Sequence, residues 1–276
     1  MTVRRILVVD GNTAAVRARQ VETLGYATGE GYANALRHID DSLVIDIVTP
    51  ADGPVEWPSG LTLSAYDGVA VTGSALNVYE GGAAVARQIA LVQEVFSAGL
   101  PLFGSCWGLQ IAVAAAGGEI APNPRGREFG FGRHIRLTAA GREHPMFTGK
   151  PQVFEAPTVH RDTIVRMPPG ASVLAENDNG IQAMAVSGAG ARFWGVQYHP
   201  EYDFVDIAAA ADRYRETLVR ERIFEDPPAV TAFASAMRAL QTNPRQQSLL
   251  RRFALGAAVA DRRVRTIELR NWLASV

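Results

Sequence analysis

Short apolar runs that end at glycine-rich turns, each followed by a helix-compatible stretch, recur through the first half of this 276-residue chain. Ile6-Leu7-Val8-Val9 stops at Asp10-Gly11-Asn12, and Thr13 to Leu24 then reads as a helix closed by Gly25. Leu43 to Val48 and Gly68-Val69-Ala70-Val71 repeat the run, and Ala83 to Ser97 is an apolar-periodic helix leading to Gly99. Pro101-Leu102-Phe103 enters Gly104-Ser105-Cys106-Trp107-Gly108, and a helix from Leu109 to Ala116 ends at Gly117-Gly118. Strands alternating with helices predict a parallel sheet with helices on its faces. From Glu128 to Tyr198 the segments become shorter strands separated by Gly, Pro and Asn turns, with a hairpin at Ser187-Gly188-Ala189-Gly190, which predicts an antiparallel extension.

Beyond Glu201 a helical stretch runs to about Phe224, and Pro227-Pro228 separates it from a further helical segment. The expected division is one α/β domain over residues 1–224 and a helical extension over 225–276. Val230, Phe233, Met237 and Leu240 share one helix face and need a surface to cover, either the sheet or a second copy of the chain.

Hydrophobic residues make up 47% of the chain and 27 basic residues balance 28 acidic ones, so no global field would hold it on nucleic acid or an anionic membrane. A small-molecule partner is expected instead. The extension carries eight arginines against four acidic residues, but in no nucleic-acid-binding motif. Residues 1–10 are too short in apolar character for a signal-peptide core, and no run reaches a membrane span. The expected location is the cytoplasm. One cysteine excludes an intramolecular disulfide and, with scattered histidines, gives no metal-ligand spacing; neither metal nor cofactor is expected.

Cys106 falls at a strand-to-helix turn, where the thiol is held out of the sheet and the following helix favours thiolate. The turn alone is equally compatible with a buried structural cysteine. Val196-Gln197-Tyr198-His199-Pro200-Glu201 changes this: a histidine directly after a strand can reach the same sheet edge, and a carboxylate two residues on can orient its ring. Cys106, His199 and Glu201 are therefore the candidate nucleophile, base and orienter. Of the other four histidines, His38, His134 and His144 read as structural, and His160 as a loop residue able to line a pocket.

Phe103 to Gln110 together with Gly195 to Glu201 resembles the class I, triad-type glutamine amidotransferases. Arg127-Glu128-Phe129-Gly130, His160-x-Asp162 and Met167-Pro168-Pro169-Gly170 extend the likeness toward the glutaminase domain of GMP synthetase, over about residues 4–204. The resemblance implies a flavodoxin-like open, mostly parallel sheet with the site at the carboxyl ends of its strands. It implies a Cys106 γ-glutamyl thioester, an oxyanion hole from the amides of Gly73 and Trp107, and substrate contacts from Gln110, Val159 and His160.

Two positions depart from the family pattern: the oxyanion loop reads Gly73-Ser74-Ala75-Leu76-Asn77-Val78-Tyr79, and Val159 replaces the serine usual before the pocket histidine. No ATP-pyrophosphatase loop follows, so an ammonia acceptor would require a separate synthase. The resemblance implies first a hydrolase that releases ammonia from glutamine, and equally admits a γ-glutamyl peptidase or amide hydrolase. A non-catalytic binding or regulatory module on the same fold is the third alternative.

Overall fold

The computed structural model describes residues 3–276 apart from 59 and 189, so Ala189 of the expected hairpin and the first two residues lie outside the described residues. Eleven strands are formed among the described residues: β1 Arg5–Val9, β2 Val44–Val48, β3 Gly68–Val71, β4 Leu102–Ser105, β5 Glu119–Pro122, β6 Glu128–Leu137, β7 Val153–His160, β8 Asp162–Arg166, β9 Ala171–Asn177, β10 Gly180–Gly188 and β11 Ala191–Val196. Nine form one sheet in the order β2-β1-β3-β4-β11-β10-β9-β6-β7. The five from β2 to β11 are mutually parallel, and the pairings from β11 through β10, β9 and β6 to β7 are antiparallel. β5 and β8 form a separate antiparallel pair. The expected mixed α/β architecture is the observed one.

The continuous apolar run of β1 is explained by burial on both faces. Ile6 and Val8 enter a core with Tyr32, Ala33 and Leu36 of α2 (Thr28–Ile39, after α1, Ala14–Leu24), whereas Leu7 and Val9 enter the opposite core. That second core is filled by Val92, Val95 and Phe96 of α3 (Ala83–Ser97) and Leu109, Ile111 and Val113 of α4 (Trp107–Ala115). Gly25 caps α1 in the left-handed conformation, at φ 81°.

A short helix α5 (Ala139–Glu143) precedes β7, and after β11 come α6 (Phe204–Arg213) and α7 (Arg215–Arg220). Pro227 and Pro228 open α8 (Pro227–Thr242), whose N-cap Asp226 accepts from the Ala229 amide. Val230, Phe233, Met237 and Leu240 are buried within the chain, against α6 and Phe131 of β6. Four shorter helices follow: α9 Gln247–Arg252, α10 Ala257–Ala260, α11 Arg262–Arg265 and α12 Ile267–Leu273. α12 lies on the sheet face that α2 covers, where Trp272 packs on Phe103 of β4 with ring centroids 5.8 Å apart. Lys150, the only lysine, is buried there with its ammonium 2.9 Å from Glu268, which also accepts from the Tyr198 hydroxyl.

Candidate active site

The carboxyl ends of β1, β3, β4 and β11 converge, and each supplies a loop to one crevice, as open α/β sheets do where they bind ligands. Cys106 occupies the turn between β4 and α4 at φ 53°, a conformation sparsely used by non-glycine residues, and its amide donates to Val196 O at 2.7 Å. The flanking glycines allow the helix to start so close to the strands. A Cβ on Gly104 would stand 2.3 Å from the Gly108 carbonyl carbon, and one on Gly108 would stand 2.3 Å from Val71 O. The elbow therefore exists because both positions lack side chains.

His199 follows β11 and is fixed by its amide, which donates to Pro157 O at 2.8 Å, and by its Nδ1, 2.7 Å from Glu201 Oε1. Burial works against a charged ring here, but the Glu201 carboxylate, and after it the neighbouring Cys106 sulfur, outweigh it and raise the imidazole to about 10. The pairing with Glu201 thus favours the charged form of the ring. Gly73 abuts its edge: a Cβ there would lie 2.7 Å from His199 Cε1. Tyr202 stacks on the ring face at a centroid distance of 3.9 Å and 10° from parallel. The Gly73 and Trp107 amides donate to no acceptor among the described residues, and the Trp107 indole is held by Gln88 at 2.8 Å.

Two concavities meet at the sulfur. One, of about 180 Å³, is lined by Asn77, Tyr79, Gln110, Arg127, Val159, His160, Arg161, Asp162 and Tyr214, among others. Its polar groups are mutually tied: Tyr79 donates to Asp162 at 3.1 Å, His160 Nε2 lies 2.9 Å from Glu128, and Arg127 pairs with Glu221 beneath the Tyr214 ring. Burial pushes the Asp162 carboxyl up despite the Tyr79 hydrogen bond and the cations around it. The other concavity is a crevice of about 30 Å³ bordered by Asn12, Gln20, Thr28, Gly73, Cys106, His199 and Tyr202. Among the described residues, no group of three or more His, Cys, Asp or Glu could hold a metal ion.

Of the eight residues singled out in the sequence, Gly73, Cys106, Val159 and His199 border this crevice, Gln110 and His160 line the larger pocket, and Trp107 and Glu201 stand behind them, next to Cys106 in the chain and hydrogen-bonded to His199 respectively. Gln110 lines the larger pocket and donates to Gln197 at 3.2 Å, while Val159 offers its carbonyl 3.7 Å from Cys106 Sγ. His160 differs from expectation in ending β7 rather than lying in a loop; Pro157 disguises the strand, which sits at the sheet edge where proline is tolerated. Asn12, Tyr202 and Tyr214 have no site role in the sequence reading, and Arg127 and Tyr79 enter it only within longer motifs. The signal for Tyr202 was its position directly after Glu201; that for Asn12 was the turn closing β1.

Residues 30–205 match the family model of glutamine amidotransferase class-I. The chain belongs to the class I glutamine amidotransferases. A γ-glutamyl-L-1-hydroxyisopropylamide hydrolase of a Pseudomonas species is 36% identical over 274 residues, covering 98% of this chain and 92% of that relative. The glutamine-hydrolysing GMP synthase of Thermomicrobium roseum is 33% identical over 174 residues, but the match spans only 30% of its length. A glutamine amidotransferase structure from Thermotoga maritima superposes with a TM-score of 0.67 at 17% identity, covering 100% of this chain and 98% of that one. That likeness concerns the fold. Family membership and the end-to-end match to a hydrolase support an amidohydrolase. No helix among the described residues is long and apolar enough to cross a membrane.

Proposed function

We propose that this class I amidotransferase-family protein hydrolyses γ-glutamyl amides, with Cys106 as nucleophile, His199 as proton carrier and Glu201 as its orienter. The observation that carries the reading is His199, bound to Glu201 at 2.7 Å in the same crevice as Cys106, the chain's only thiol. The thiolate attacks the γ-carbonyl carbon, and the Gly73 and Trp107 amides receive the oxyanion. The C–N bond breaks as His199 gives its proton to the departing nitrogen, leaving a γ-glutamyl thioester. Water, deprotonated by the now neutral imidazole, attacks the thioester; the C–S bond breaks, glutamate leaves and the thiolate–imidazolium pair is restored. The 180 Å³ pocket suits the γ-glutamyl half, because Asp162 can meet an α-ammonium and Arg127 or Arg161 an α-carboxylate.

The end-to-end likeness to the Pseudomonas hydrolase favours an N-substituted amide over glutamine as the preferred substrate. Ammonia release from glutamine, for a separate synthase, is the second reading, favoured by the likeness to GMP synthases. Initial rates on glutamine, γ-glutamyl alkylamides and γ-glutamyl dipeptides, with ammonia and amine products measured separately, discriminate between them. The expected result is higher kcat/KM for a short alkylamide than for glutamine, and loss of at least ~10³-fold activity in Cys106→Ala. A fully active Cys106→Ala protein would refute both readings.

A further inference from the structure

We propose that Tyr79 is a positioning residue of the γ-glutamyl pocket, its hydroxyl holding the Asp162 carboxylate in place to receive the substrate's α-ammonium group. The proposal rests on the γ-glutamyl amide reading above. Asp162 is only 4% exposed, yet among the described residues no cationic side chain forms an ion pair with it. The cations nearby are engaged elsewhere or solvated: Arg127 pairs with Glu221, His160 Nε2 meets Glu128, and Arg161 is exposed. A buried carboxylate is costly to keep charged without a partner, and a cationic group of a ligand would supply one. Cys106 lines the same 180 Å³ pocket, so one γ-glutamyl group can meet Asp162 with its α-ammonium and the sulfur with its γ-carbonyl.

What fixes the carboxylate is the phenol. Tyr79 donates to Asp162 Oδ1 at 3.1 Å, and among the described residues no other donor meets either carboxylate oxygen. An ionised carboxylate only accepts, so a hydroxyl that donates to it favours the charged form and limits its rotation. Burial pushes the Asp162 carboxyl up, and the Tyr79 hydrogen bond is the foremost interaction opposing it. Oδ2 remains for the ligand. The turn that carries the phenol is itself anchored: Val78 packs against the core on the α3 and α4 side, and Asn77 Nδ2 donates to Glu80 Oε1 at 3.0 Å. Gly81 and Gly82 follow at φ 65° and 84°, where a side chain would be strained although nothing stands near it. Tyr79 ends the loop 73–79, one of the two places where the sequence departs from the family pattern.

The test compares kcat/KM for γ-glutamyl ethylamide and N-ethylglutaramic acid, which lacks only the α-amino group, in the native protein and in Tyr79→Phe, which keeps the ring. The native protein is expected to prefer the amino substrate by about a hundredfold, and Tyr79→Phe to cut that preference to about tenfold, with the loss in KM rather than kcat. Because the preference is a ratio within one protein, it does not depend on the fraction that is folded. An unchanged preference in Tyr79→Phe, as when both substrates lose equally, overturns the positioning role. In Asp162→Asn the preference should disappear, and adding Tyr79→Phe should change it by less than about twofold; independent effects of the two substitutions overturn the proposal. Indifference of the native protein to the α-amino group overturns the Asp162 contact, and the role of Tyr79 with it, while leaving γ-glutamyl amide hydrolysis intact. Turnover of neither substrate overturns the hydrolysis reading itself and the proposal with it.

Discussion

Tyr202 and Glu201 act on the same imidazole from two directions, one over its face and the other at Nδ1. An aromatic face next to an imidazolium stabilises the charge by roughly 0.5–2 kcal/mol when the pair is shielded from water. Tyr202→Leu should therefore release the His199 proton at lower pH, and Tyr202→Phe should restore the native profile. Because Cys106 is the only thiol, the pH dependence of its alkylation by iodoacetamide reads this site alone. An unchanged profile in Tyr202→Leu would mean that the ring merely fills space. With His199 raised to about 10, the alkaline limb of kcat/KM is expected near that pH. The stability sign follows: a base whose folded-state pKa is raised stabilises the fold fully below its unfolded value of about 6.5. That contribution disappears as pH rises toward 10, so the urea midpoint should fall across this window and fall less in Glu201→Gln.

The β4–α4 elbow shows what a sequence can reveal at the level of elements. Glycines on both sides of Cys106 announced a sharp turn, and the structure gives the reason in the 2.3 Å approaches that a Cβ would create. Gly104→Ala is expected to cost roughly 2–3 kcal/mol and to lower Tm by roughly 5–10 °C in a thermal melt. β1, β3, β4, α3 and α4 were legible because their apolar runs are long for their burial and end at turns. α2 is legible only as a helix surface around His38: Gly29 and Gly31 weaken its pattern, and its contact with the sheet rests on Tyr32, Ala33 and Leu36. Thiol, imidazole and carboxylate were legible because two contiguous motifs hold them. Gln20 stands in no motif of the sequence and on a mostly exposed helix, and Tyr79 enters only as the end of the loop after β3. Only the folded chain sets Gln20 at the crevice and Tyr79 at the pocket that adjoin Cys106.

Across the molecule, the last helices are tied to the catalytic loop from both sides. Glu268 of α12 accepts from Tyr198, immediately before His199, and Arg265 of α11 pairs with Asp203, two residues after Glu201. Lys150, which also donates to the Val264 and Arg265 carbonyls, completes the buried cluster. Removing one partner of such a buried pair typically costs 3–5 kcal/mol because the other charge is stranded. Lys150→Met should therefore lower Tm by about 10 °C, and Lys150→Met/Glu268→Leu should recover part of that loss. The lysine side chain is only 1% exposed, so the folded protein offers lysine-directed acylating agents and cross-linkers no accessible ε-amine. Acylation at Lys150 requires the C-terminal helices to lift away, and its rate under native conditions would measure how often they open.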